Sequence, residues 1–147
     1  MTTFTEVTPA SIQPASFTFP FTRSDAGRSL SKRPKQKNDC TVRALATARA
    51  MDYDLAYDIL AEAGRKCAKG FHIGQWLEKQ PGVKKIAFPA KKGQSRMNPL
   101  TFAKQFPTGR YICRTAKHVY CVIDGAVFDT VKPRHNRCIY TAWEIKA

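Results

Sequence analysis

An α+β fold is predicted by the order of two patterns along the chain. From Asp39 to Lys79 apolar residues recur at spacings of three and four, as on one face of a helix; from Arg110 to Ile145 they gather in short runs rich in β-branched and aromatic residues. Helices first and antiparallel strands second is the order of helices packed on a C-terminal sheet. A length of 147 residues suits one domain with a modest core and a tail, not two full domains.

Residues 1–37 differ from the remainder. They are rich in Thr, Ser, Pro and Phe and end in the basic run RSLSKRPKQK; Pro9, Pro14, Pro20 and Pro34 exclude a continuous helix. The expectation is an extended arm in which Phe4, Phe17, Phe19 and Phe21 anchor on the domain or on a partner, with a disordered leader as the alternative. The domain proper is expected over residues 38–147. Asp39 can cap a helix from Cys40 to Met51, with Ala44, Leu45, Ala48 and Met51 on its buried face and Arg43 and Arg49 off it. Leu55, Ile59, Leu60 and a stop at Gly64 predict a second amphipathic helix, and Ile73 to Lys79 a third, short one. After Pro81-Gly82, Val83 to Phe88 reads as a strand, and NPLTFAKQF as a helix entered through Pro99. GRYICRT, HVYCVID, AVFDTV and CIYTAWEI follow as strands, with a tight turn at Asp124-Gly125.

Charge narrows the partners. Twenty-five Lys and Arg stand against 11 acids, a formal charge of +14 with a pI near 9.9, so an acidic protein surface or nucleic acid has to be considered. Lys91, Lys92, Arg96, Arg134 and Arg137 are the candidate contacts, since convergent cations could neutralise phosphates or carboxylates. The competing reading is a solvated basic surface. No zinc-finger spacing and no RNA-recognition signature is present. The five cysteines are odd in number and lack CxxC spacing, which argues against a disulfide framework or a zinc site and for a reducing compartment. His72 and His135 lack a third ligand, so neither metal nor cofactor is expected. No segment reads as a membrane span or secretory signal; the expected setting is the cytoplasm, with a virion component as the other possibility.

One constellation carries chemistry. Cys40 opens a helix, where unpaired amides and the helix dipole favour a thiolate. His118 opens the strand HVYCVID. Pairing about Asp124-Gly125 sets Tyr120 opposite Asp129 and makes His118 and Asp129 diagonal neighbours. Cysteine as nucleophile, histidine as proton carrier and aspartate as orienting group form a complete acyl-transfer trio.

NDCTVRALA and GRYICRTAKHVYCVIDGAVFDT, in this order, resemble the papain-like cysteine peptidase superfamily. The likeness is to compact bacteriocin-processing peptidase domains and to small phage-encoded proteins with the same Cys-His-Asp order. It covers the chain from about Gln36 onward and leaves the arm outside. The resemblance implies hydrolysis of a peptide, isopeptide or related amide bond through a thioester at Cys40. It also implies an oxyanion site made by the Cys40 amide and an upstream side-chain amide, for which Gln36 and Asn38 are the candidates. Two departures stand out: the family's glutamine sits six residues before the cysteine, whereas Gln36 is four before it, and Thr41 replaces a common glycine. The alternative is a catalytically inactive relative that uses its basic face and aromatic arm to bind nucleic acid, a protein assembly or components of a viral particle.

Overall fold

Tyr111-Ile112-Cys113 and Val119-Tyr120-Cys121-Val122 are buried without alternation, in strands β3 (Arg110–Thr115) and β4 (His118–Ile123). Runs of this kind require cover on both faces of a sheet. The computed structural model, which describes residues 18–146, supplies it. On one face lie α1 (Cys40–Arg49), α2 (Tyr53–Glu62) and α3 (Ile73–Glu78), packing Val42, Leu45, Leu60 and Leu77 against Ile112, Val119, Cys121 and Trp143. On the other, α4 (Pro99–Gln105) sets Phe102 among Phe19, Tyr111, Tyr120, Val127 and Ile139. The protein is thus α+β, with four α-helices and a six-stranded mixed sheet among the described residues.

The remaining strands are β1 (Phe21–Arg23), β2 (Val83–Ala87), β5 (Ala126–Asp129) and β6 (Thr141–Ile145), in the sheet order β1-β5-β4-β3-β6-β2. Neighbours from β5 to β2 pair antiparallel, as the sequence led us to expect. The β4–β5 turn places Asp124 and Gly125 at φ of 50° and 81°, the geometry of a two-residue hairpin, and fixes Val122 opposite Val127. The periodic patterns also locate the helices: each forms within a few residues of its expected span, and α4 is capped by Asn98, whose side chain accepts the Thr101 amide at 2.8 Å.

β1 is the element that the sequence did not disclose. It pairs parallel with β5, Phe21 opposite Val127. Three residues after a proline offer no periodicity to read, and the partner strand lies more than 100 residues onward. Its attachment is nonetheless specific: Phe19 is buried, the Arg23 guanidinium donates to the Thr130 carbonyl, and Arg33 pairs with Asp54 and Asp58 on α2. Residues 18–37 therefore lie against the domain, with Phe19 and Phe21 packed beside the sheet. Phe4 and Phe17, the other aromatic anchors expected of the arm, are outside the described residues.

Candidate functional site

Cys40 is the first residue of α1, which lies across β4, and His118 is the first residue of β4. Small residues allow this approach: Ala44 and Ala48 of α1 are buried against the sheet side of the core. The imidazole and the Val119 backbone N–H lie close enough to the Cys40 sulfur to favour its ionised form. His118 Nε2 lies 2.6 Å from Asp129 Oδ2, which leaves Nδ1 for the sulfur. The predicted trio is brought together by the hairpin register and by the docking of α1 on β4.

Its electrostatics follow from these contacts. Burial opposes ionisation of Cys40, but the bonds from His118 and Val119, with the positive charges of His118 and Arg43, bring its pKa below the ordinary thiol value of 9.0. Hydrogen bonds to Asp129 and Cys40 raise His118, against burial, to about 9. Asp129 is buried too, yet His118, the Thr130 amide and Arg43 hold its carboxyl below the usual carboxylate range. Both shifts run toward a thiolate beside an imidazolium and away from the neutral pair.

Two residues act differently from expectation. Asp39 occupies the N-cap position of α1 but makes no capping bond; its carboxylate instead accepts from Arg28 Nη1 at 3.1 Å, Arg43 Nε at 3.1 Å and the Tyr53 hydroxyl at 2.7 Å. The sequence pattern places Arg43 off the apolar stripe. In the structure it bridges the two buried acids, with Nη1 2.6 Å from Asp129 Oδ1. The available clue was its spacing: Arg43 lies three residues after Cys40 and four after Asp39, hence one turn along the same helix face.

Gln36 and Asn38, the candidate oxyanion amides, are engaged elsewhere. Neither side chain lines the groove at Cys40. Gln36 Oε1 accepts from the Ala68 amide at 2.6 Å and from Arg65 at 3.2 Å, while Asn38 donates to the Ala68 carbonyl at 2.9 Å. Both amides fasten the loop before Cys40 to residues 65–68. The side-chain amide that does line the groove is Gln75, from α3.

The groove is open, with a volume of about 870 Å³. One wall is α3 with the loop from Gly70; the other is the sheet end with Arg114, Lys117 and His118. Gly74 is held against buried Trp143, and a Cβ on it would lie 2.8 Å from the indole ring. The Gly74→Ala variant is therefore expected to lose about 1–3 kcal/mol in urea unfolding, because an enclosed indole cannot move aside without repacking the core.

The basic candidates are spread over several settings. Lys91 and Arg96 line a smaller hollow of about 330 Å³ between the end of β2 and α4, and Arg96 sits 5.1 Å from the Tyr140 ring centroid. Arg137 donates to the Ala116 carbonyl at the β3–β4 turn at 3.2 Å, and Lys92 and Arg134 are exposed. Among the described residues no group of three His, Cys, Asp or Glu side chains is placed to hold a metal, and no helix is long and apolar enough to cross a membrane. No family model, curated protein or solved structure matches the chain.

Proposed function

We propose that the chain is a papain-like cysteine hydrolase that cleaves a peptide, isopeptide or related amide bond. The carrying observation is the continuous contact from Cys40 through His118 to Asp129, ending in the 2.6 Å bond between Nε2 and Oδ2 at one end of an open groove. In this reading the thiolate attacks the carbonyl carbon, forming the C–S bond. As the C–N bond breaks, the imidazolium gives its proton to the departing nitrogen. Water, losing a proton to His118, then forms a C–O bond with the acyl carbon, and the C–S bond breaks to restore the thiolate. Asp129 keeps the ring oriented throughout. The oxyanion is met by the Cys40 backbone N–H, with Gln75 as the groove's side-chain amide for the same role.

The placement of Gln36 and Asn38 away from the groove favours a second reading, a non-catalytic binding protein of the same fold. One experiment separates the two. A 4-nitrophenyl ester incubated with the wild type is expected to release nitrophenol and leave an acyl mass on Cys40 that water removes, and neither should occur in Cys40→Ala. Acylation of several cysteines at equal, slow rates without turnover would support the binding protein instead.

A further inference from the structure

Among the charged residues lining the groove, Lys85, Arg114 and Lys117 oppose a single acid, Glu78. Glu78 accepts from Trp143 Nε1 at 3.2 Å and faces Lys85 Nζ at 3.9 Å, so these two charges balance locally. Arg114 and Lys117 are exposed, and among the described residues neither is paired with a carboxylate. The Arg114 guanidinium lies 5.6 Å from the Tyr140 ring centroid, a contact that leaves its charge unneutralised.

Their position relative to the imidazole is what matters. Lys117 immediately precedes His118 in the β3–β4 turn, and Arg114 is the cross-strand partner of Val119, the residue that follows it. In acyl transfer the proton reaches the leaving nitrogen from His118, so the leaving segment passes this side of the groove. We propose that the groove selects amide substrates carrying carboxylate side chains on the amine side of the bond that breaks, met there by Arg114 and Lys117. This rests on the hydrolase reading and supplies its substrate class. A polynucleotide would bring negative charge to the same cations, with Phe71 and His72 of the groove as its stacking faces, and is the alternative occupant.

The test compares two alkylating agents that differ in charge. With either one the thiolate displaces iodide and forms an S–C bond, so the ratio of their rates cancels the thiolate fraction and its nucleophilicity. At Cys40 the iodoacetate-to-iodoacetamide ratio in the wild type should exceed that in Arg114→Gln/Lys117→Gln about tenfold, as expected for two nearby cations at low ionic strength. Arg114→Glu/Lys117→Glu should lower it further, and salt should bring the wild type toward the glutamine variant. A glutamate-rich octapeptide should slow iodoacetamide labelling of the wild type, and a lysine-rich one should not. Equal ratios in all three proteins, equal protection by both peptides, or better protection by an oligonucleotide would overturn the proposal. Failure of the hydrolase reading has a different signature: slow labelling by both agents that His118→Ala does not alter.

Discussion

In the His118→Ala variant, hydrolysis of any amide that the wild type cleaves should fall by about 10²–10⁴-fold, the usual contribution of a positioned general acid–base group. Two losses combine. The thiolate loses its imidazolium partner, and the Val119 amide, the Arg43 charge and the helix start are left to offset burial. The leaving nitrogen loses its proton source. His118 is partly exposed, with 34% of its side chain accessible, so the fold should survive the truncation. Steady-state rates together with unchanged near-ultraviolet circular dichroism would check both statements. A variant with unchanged turnover would remove the imidazole from the mechanism.

The second large effect is one of stability. Arg43→Ala is expected to cost about 3 kcal/mol, because it leaves two acids in the interior without the cation between them. The Asp39 and Asp129 side chains are only 3% and 4% exposed, and Arg43 bonds to both. Asp39 keeps Arg28 and Tyr53, and Asp129 keeps His118 and the Thr130 amide. Those partners hold the expected loss to the lower end of the range for a broken buried pair.

The pH dependence has a defined sign. Both acids are lowered from 3.8 in the folded protein, despite burial, by their hydrogen bonds and the neighbouring cations. Their stabilisation is present above 3.8 and is lost as pH falls through the lower folded values. His118 is raised from 6.5 to about 9, so its stabilisation is complete below 6.5 and fades as pH rises toward 9. Urea unfolding should show the wild type and Arg43→Ala far apart near pH 6 and converging as pH drops below about 4, where the carboxylates protonate. A constant gap down to pH 2 would mean that Arg43 acts through packing alone.

Much of the fold was legible because its helices and central strands are dictated by local pattern. The Cys40 helix, the Pro99 helix with its Asn98 cap, and the Asp124-Gly125 hairpin each carry their instructions within a few residues. The hairpin also made the His118–Asp129 contact foreseeable, since a two-residue turn fixes every pair above it. β1 was hidden because its pairing with β5 is long-range and its three residues show no alternation. The ion network was hidden for a related reason. Asp39 looked like a cap and Arg43 like solvent-facing charge, and only the docking of α1 beside Asp129 and Tyr53 reveals that both face inward. The contacts of Gln36 were not legible because distance along the chain says nothing about the left-handed turn at Asn38, φ 52°, that accompanies its engagement with Ala68 and Arg65.

The central claim is a thiolate–imidazolium pair between Cys40 and His118. It is tested most directly by the pH dependence of Cys40 alkylation by iodoacetamide, followed by mass spectrometry of the labelled peptide. The pair predicts rapid labelling already at neutral pH, an inflection below the ordinary thiol value of 9.0, and a second change near 9 as His118 loses its proton. A single rise centred at 9.0 or above, the same in wild type and in His118→Ala, would contradict it.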